Sequence, residues 1–409
     1  MRKIYIIILL TLVNFLASLT FFQYRDLISE YLVVNTIEMT SAGRINEWVG
    51  LYFYDGQPYT SQPGINGLFF SRLLSLGLEI SHIVYISIFF VSLSFNYIFV
   101  NCAGVIKERF GLLPAALFST PLFLSTFYWL DSGNLYWLYP LYIAPFYLVL
   151  SKYHKYSEVK LSTFLFLFFL IKFCTGFEYA PVVIISAIIP ILFYEIDKNR
   201  IWVIARRISG VGLVGVLAFA AALLVLILNE SRIKVAEGSV VGVIQSYFVT
   251  GKNEPHFLKY KNSISTSMSQ YAILNKKNDI AGDNANGWSE VLKARNQYLG
   301  YSSILDYFSF SSKKALFYTI QAVLALVLLG ALAFLAVVHA EIIGVVFAAI
   351  IAASAAGLWV ILMPLHFYLH SVYWRGVSDI ILIFPFYSTL GLAFGVYLKM
   401  KGNAHAKNF

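Results

Sequence analysis

The chain has 409 residues, of which 59% are hydrophobic and only 12% are charged, with a formal net charge of +9 and a mean hydropathy of +0.72. About a quarter of the residues in a soluble globular domain are charged, so this composition excludes an ordinary soluble protein. The basic residues fall mostly in short connections between apolar segments, a pattern that sets membrane topology and does not indicate nucleic-acid binding.

The apolar runs predict an all-α, polytopic integral membrane protein, because backbone groups in hydrocarbon must bond to one another and no alternating barrel pattern is present. We expect about ten spans of the length that crosses a bilayer. The predicted spans cover approximately residues 4–22, 82–106, 112–130, 135–150, 161–177, 181–194, 208–228, 315–338, 342–363 and 380–398. The first is interpreted as an uncleaved span, since Gln23-Tyr24-Arg25 offers no small-residue cleavage site.

These spans divide the chain into three parts: an N-terminal membrane module at 1–228 with a first outer loop at 23–72, a large hydrophilic loop at 229–314, and C-terminal helices with a tail at 315–409. Counting from a cytoplasmic amino terminus puts the basic connections on the cytoplasmic side, as the positive-inside rule requires. Those connections are residues 107–109, 152–160, 198–207 and the tail at 399–407. Both termini are therefore predicted to be cytoplasmic and both large loops external.

The first outer loop carries the acids that suit catalysis. Residues 26–48 mix apolar side chains with Asp26, Glu30 and Glu38, which is too polar to span and typical of a helix lying on the membrane interface. A carboxylate held there can take a proton from an acceptor hydroxyl. We favour Glu38, because it ends the predicted interfacial helix just before Gly43, where the chain can turn. A solvated helix face is the simpler explanation for Asp26 and Glu30.

Two further candidates lie between later spans. Asp131 begins the turn Asp131-Ser132-Gly133-Asn134 and is a possible second site carboxylate, although Asp and Gly are favoured in turns anyway. Lys172 lies within an apolar run, where a charge is costly and usually functional. Alternatively, Lys172 extends to the interface or pairs with Glu178.

The late outer turn contains His366, His370 and Arg375. The histidines have the i, i+4 spacing of a metal pair, but no third ligand is evident nearby, so we predict no metal and no cofactor. Contact with a phosphate group is the favoured role, because cations stabilise the charge that grows on a leaving phosphate. Anchoring at the membrane interface is the alternative for Arg375.

With this topology the polar candidates gather on the external face, where ATP is not available as a fuel. Transfer chemistry there needs a donor already activated across the membrane, and a polyprenyl-phosphate sugar meets that need.

The first loop also carries a resemblance. It contains Ile37-Glu38-Met39-Thr40-Ser41-Ala42-Gly43, then Trp48, then Tyr59-Thr60-Ser61-Gln62-Pro63-Gly64. This order resembles the type C membrane glycosyltransferases, in which an acid, a short helix, Gly and Trp precede a Pro-Gly before the second span. By its size and its outer loops, the chain is similar to the serotype-converting O-antigen glucosyltransferases of bacteria and prophages.

The resemblance implies transfer of glucose from undecaprenyl-phosphate-glucose to lipid-linked O-antigen, with inversion, on the periplasmic side of a bacterial inner membrane. The chain lacks the Asp-Glu doublet of the broader family in its first loop, so the base stays open among Asp26, Glu30 and Glu38. An O-antigen polymerase is one alternative, although it has no special need of an acidic helix after its first span. A transporter or polyprenyl-lipid flippase is another, but it should show mid-membrane charges and internal repeats, and only Lys172 fits.

Overall fold

The computed structural model describes residues 2–20, 27–41, 51–54, 57–125, 128–129, 132–177, 179–195, 201–234, 388 and 391–398. Its helices are α1 (Arg2–Thr20), α2 (Leu27–Ser41), α3 (Ile65–Ser75), α4 (Ile80–Phe110), α5 (Leu112–Phe123), α6 (Pro140–Lys152), α7 (Glu158–Thr175), α8 (Ala180–Glu195) and α9 (Ile201–Lys234), with a further helical segment at 391–398. The predicted spans at 315–338 and 342–363, and almost all of the 229–314 loop, lie outside the described residues.

Among the described residues, three helices are long and apolar enough to cross a membrane: Arg2–Leu19, Ile80–Phe110 and Trp202–Asn229. They coincide with the first, second and seventh predicted spans. The described part of the chain is therefore a mostly helical protein with the character of a membrane protein. Helix α7 also has 18 residues, but Glu158, Lys160 and Lys172 interrupt its apolar sequence.

The third and fourth predicted spans, at 112–130 and 135–150, form shorter helices than expected. Helices α5 and α6 have 12 and 13 residues. At a rise of 1.5 Å per residue, each extends only about 20 Å, less than the roughly 30 Å of hydrocarbon. Pro121 lies in the last turn of α5, and Pro140 begins α6, where its missing N–H costs nothing.

The connection between these two short helices reaches the middle of α4. The Tyr128 hydroxyl donates to Asn96 Oδ1 at 2.8 Å, and Asn14 Nδ2 of α1 donates to the Tyr128 carbonyl at 2.7 Å. Asn96 Nδ2 also donates to Asn14 Oδ1 at 2.8 Å. All three residues are buried. Within a membrane, backbone groups outside a regular helix need partners from the protein, and interhelical amide hydrogen bonds are a common contact between membrane helices.

One end of the helices is held by charges, and we call it the basic end. It joins the start of α1, the ends of α4, α6 and α8, and the starts of α7 and α9. The contacts are Lys3–Glu108 at 3.5 Å, Arg206–Glu158 at 2.8 Å, Arg207–Glu195 at 3.4 Å, Tyr153 Oη donating to Glu195 Oε1 at 2.8 Å, and the Arg109 guanidinium 4.4 Å from the Tyr194 ring centre.

The segment 391–398 packs on α5 through two glycines. A Cβ at Gly395 would lie 2.5 Å from Pro114 Cα, and one at Gly391 would collide with the Leu117 carbonyl. The four-residue spacing of small residues is typical of close helix packing in membranes. Because Gly391 meets Leu117 and Gly395 meets Pro114, the segment runs antiparallel to α5 and descends towards the basic end.

The first outer loop contains a hairpin that the sequence analysis did not predict. Strands β1 (Leu51–Tyr54) and β2 (Gln57–Pro63) pair antiparallel, with Tyr54 opposite Gln57 and a bulge between Leu51 and Tyr52. The dipeptide between the strands is Asp-Gly, which is a strong signal for a two-residue hairpin connection.

Candidate functional site

Helix α2 is the helix predicted for the first outer loop, and it packs firmly on its neighbours. Val33, Thr36 and Ile37 form its buried face. A Cβ at Gly67 of α3 would lie 2.8 Å from Thr36 Cγ2, so the two helices cross in direct contact. The helix that carries the candidate bases is thus fixed to the hairpin and α3.

Glu38 is on the exposed side of α2, next to Met39. Met39 packs on a small cluster formed by Leu51 of β1 and Leu226 of α9, and Phe177, just beyond α7, packs on the same cluster. The end of α2 that bears Glu38 therefore lies at the ends of α7 and α9 that are opposite the basic end. Glu30 lies in α2, but its side chain is not among the described ones, and Asp26 lies outside the described residues.

Tyr52 of β1 connects the first loop to two later segments. Its hydroxyl faces two acceptors, Asn66 Oδ1 of α3 and the Thr175 carbonyl of α7, the latter at 2.8 Å. Asn66 Nδ2 donates to the Leu135 carbonyl at 2.9 Å. Tyr52 and Asn66 are both buried, and the Tyr52 ring lies 5.2 Å from that of Tyr136. We call this arrangement the Tyr52 junction.

Gly64 explains the Pro-Gly element of the sequence motif. It precedes α3, and a Cβ there would lie 2.5 Å from the Tyr52 backbone nitrogen. Any side chain at this position would push α3 away from β1. The glycine is therefore required for the close approach that lets Asn66 reach Tyr52.

Lys172 lies near the end of α7 and is only 2% exposed. Its ammonium donates to the Gly176 carbonyl at 2.8 Å and lies 4.5 Å from the centre of the Tyr142 ring. Trp137 and Tyr179 extend the aromatic surroundings, with ring centres 5.5 Å apart. A carbonyl and the face of an aromatic ring both compensate a buried cation, which is otherwise expensive. We call Lys172, Tyr142, Trp137 and Tyr179 the Lys172 cluster.

One residue of the Lys172 cluster and one residue next to it have a left-handed backbone. Leu138 has φ 46° and Tyr179 has φ 59°. Residues other than glycine rarely adopt this region, which costs on the order of 1–3 kcal/mol each. Such strain persists only where the surrounding packing imposes it, and it concentrates at functional sites.

The turn at 132–134 borders the same region. Asn134 Oδ1 accepts hydrogen bonds from the backbone nitrogens of Tyr136 and Trp137, each at 3.0 Å. A Cβ at Gly133 would lie 2.6 Å from Ser92 Oγ, so the turn rests directly on α4. Asn134 Nδ2, Ser132 Oγ and Ser92 Oγ are buried and have no hydrogen-bond partner among the described residues. Three such groups together give this place the capacity to bind a polar ligand or water.

The remaining candidates from the sequence stay predictions. Asp26, Asp131, Glu178, His366, His370 and Arg375 lie outside the described residues. Asp131 and Glu178 are neighbours in the chain of Ser132 and Tyr179, which are described. Within the described ranges, no group of three or more His, Cys, Asp or Glu side chains is arranged to hold a metal ion.

Sequence reasoning missed Tyr52 and Asn66 of the Tyr52 junction, and it missed the role of Asn134 in the turn at 132–134. Asn66 comes two residues after Gly64 of the quoted motif, and Asn134 belongs to the turn that was singled out for Asp131. Tyr52 has no distinguishing signal within its aromatic run.

Comparison of the chain with protein-family models, with curated proteins and with solved structures finds no match.

Proposed function

We propose that this chain is a membrane glycosyltransferase that moves a sugar from a polyprenyl-phosphate donor to a lipid-linked saccharide. The donor sugar suggested by the resemblance is glucose on undecaprenyl phosphate, and the acceptor is O-antigen. The supporting observation is that Met39 and Phe177 pack on one cluster with Leu51 and Leu226, which joins the helix of Glu38 to the end of α7 that bears Lys172.

The chemistry requires a carboxylate that accepts a proton and a cation that binds the phosphate, near one another. The acceptor hydroxyl attacks the anomeric carbon from the side opposite the phosphate, and its proton passes to Glu38. The bond between that carbon and the phosphate oxygen breaks, and polyprenyl phosphate leaves with the bonding electrons. This single displacement inverts the anomeric centre. Lys172, His366, His370 and Arg375 are the groups that would stabilise the leaving phosphate. No metal or cofactor enters the step.

The orientation follows from the charges. Lys107, Arg109, Lys152, Arg206 and Arg207 lie in or beside the basic end, so the positive-inside rule makes this end cytoplasmic. The Lys172 cluster and the Tyr52 junction are then at the periplasmic surface of a bacterial inner membrane, where a lipid-linked donor presents its head group. Both termini are cytoplasmic in this arrangement.

The test is sugar transfer by Glu38→Gln, which keeps the size of the side chain but removes the proton acceptor. With purified protein, labelled undecaprenyl-phosphate-glucose and lipid-linked O-antigen, we expect a loss of at least ~100-fold, the lower end of general-base contributions. The matched control is Glu79→Gln, a second exposed glutamate just before α4, which should transfer like the parent.

Each failure has a distinct meaning. If Glu38→Gln is active while Glu30→Gln or Asp131→Asn is dead, the function stands with a different base. If the parent transfers no sugar but lengthens the acceptor by whole repeat units, the chain is a polymerase. If it only moves labelled lipid across vesicles, it is a flippase.

A further inference from the structure

A cavity of about 620 Å³ lies between α1, α4, α6 and α7. Its walls are almost entirely apolar and include Ile7, Tyr97, Tyr147 and Phe168. This volume falls within the range of roughly 300–1,000 Å³ typical of ligand sites. We call this cavity the α1–α6 groove.

The groove faces the hydrocarbon. Ile8 of α1 and Tyr97 of α4 line it and are 46% and 54% exposed, on helices of membrane-spanning length. Ser151 and Lys152, at the end of α6, line it at the basic end. The groove is therefore apolar along its length and polar where it approaches the water.

Lys152 differs from the ion-paired cations of the basic end. Lys3 pairs with Glu108, Arg206 pairs with Glu158, and Arg207 pairs with both Glu158 and Glu195. In the described part of the chain no carboxylate lies within salt-bridge distance of Lys152, whose ammonium is 5.7 Å from the Tyr156 ring centre. Lys152 lines the groove at its basic end and is half-buried, so its charge is available to a head group there.

We propose that the α1–α6 groove binds one acyl chain of an anionic glycerophospholipid, with the lipid phosphate beside Lys152. The apolar wall matches the chain, and the positive charge at its mouth matches the head group. Basic pockets between transmembrane helices are suited to this combination. Lys152 is at the basic end, whereas Lys172 is at the other end of α7. The proposal concerns the Lys152 end of the groove and does not depend on the proposed sugar transfer.

The experiment measures lipid binding by the full chain in a neutral detergent, by native mass spectrometry and by thermal unfolding. Phosphatidylglycerol is the anionic probe. Phosphatidylcholine of the same chain length, which carries no net charge, is the control. We expect the parent to bind phosphatidylglycerol more tightly. Lys152→Gln should weaken phosphatidylglycerol binding about fivefold, the effect of one lysine near an anionic head group. Lys155→Gln, an exposed lysine three residues away, should leave it unchanged.

A second pair of variants tests the groove itself. Ile8→Trp fills it from α1 and should lower phosphatidylglycerol binding by at least as much, whereas Leu9→Trp adds the same bulk at an adjacent exposed position outside it. Equal binding of the two lipids by the parent, or equal binding by both Trp variants, would overturn the proposal. Displacement of phosphatidylglycerol by an equimolar amount of undecaprenyl phosphate would overturn it too, by assigning the groove to the polyprenyl lipid.

Discussion

The two ends of α7 show two ways of holding a helix in this protein. At the basic end, Arg206 and Glu158 form an ion pair with both side chains exposed. At the other end, Lys172 is buried against Tyr142, and Tyr52 and Asn66 are joined by neutral hydrogen bonds. Exposed ion pairs contribute about 0–1 kcal/mol, whereas an orphaned buried polar group costs about 1–3 kcal/mol. We therefore propose that the basic end orients the protein in the membrane, whereas the opposite end holds a defined geometry.

Glu195 is the exception at the basic end, because its side chain is buried. It accepts a hydrogen bond from the Tyr153 hydroxyl at 2.8 Å and lies 3.4 Å from Arg207. Burial, followed by the hydrogen bond to Glu195, raises the pKa of Tyr153 well above its ordinary value. Tyr153 therefore keeps its proton and stays a donor at any physiological pH. These buried contacts are costly to lose, whereas the exposed pairs around them contribute little.

The largest effect is expected at Lys172, and the same change at the other end of α7 is its control. Lys172→Met removes the buried ammonium and should reduce sugar transfer by about 10²–10³-fold, the effect of losing one preorganised donor. Lys160 is an exposed lysine whose ammonium also lies over a tyrosine ring, 4.4 Å from the centre of Tyr156. Lys160→Met should leave sugar transfer within about twofold of the parent, because surface substitutions usually have small effects. Labelled-glucose transfer at matched protein level measures both. Equal activity of the two variants would remove Lys172 from the site.

A smaller effect is expected at the Tyr52 junction. Tyr52→Phe keeps the ring but removes the hydroxyl that serves Asn66 and Thr175, and should lower the free energy of unfolding by about 1–3 kcal/mol. Thermal unfolding in detergent measures the loss. Tyr5→Phe, at an exposed ring on α1, is the control with the same chemical change. A parent-like melting temperature for Tyr52→Phe would mean that ring packing alone holds the first loop in place.

The smallest effect is expected at the basic end. Arg206→Gln breaks the exposed pair with Glu158, and should cost no more than about 1 kcal/mol. The same unfolding assay, repeated at low and high salt, should show that most of this difference disappears as salt screens the charges. A larger loss than that of Tyr52→Phe would contradict the division between an orienting end and a holding end.

Part of the candidate site was predictable because single residues in it have a clear signal in the sequence. Lys172 stands out as a charge in an apolar run, and Glu38 as an acid on a helix that follows the first span. The Tyr52 junction was not predictable, since it joins residues 69 and 123 positions apart. No local pattern specifies which tyrosine or asparagine will meet a carbonyl at that distance in the chain.

The sequence by itself determined that the chain is apolar and that its described part is mostly helical, because a backbone in hydrocarbon has few other ways to satisfy its hydrogen bonds. It also marked the basic connections. Only the tertiary structure decided that α5 and α6 stop short of full spans, since hydropathy measures how apolar residues 124–139 are and not whether they are helical. Between the two helices, Asn14 and Asn66 donate to the carbonyls of Tyr128 and Leu135, and Asn134 accepts from the backbone nitrogen of Tyr136, so distant and neighbouring side chains satisfy these backbone groups.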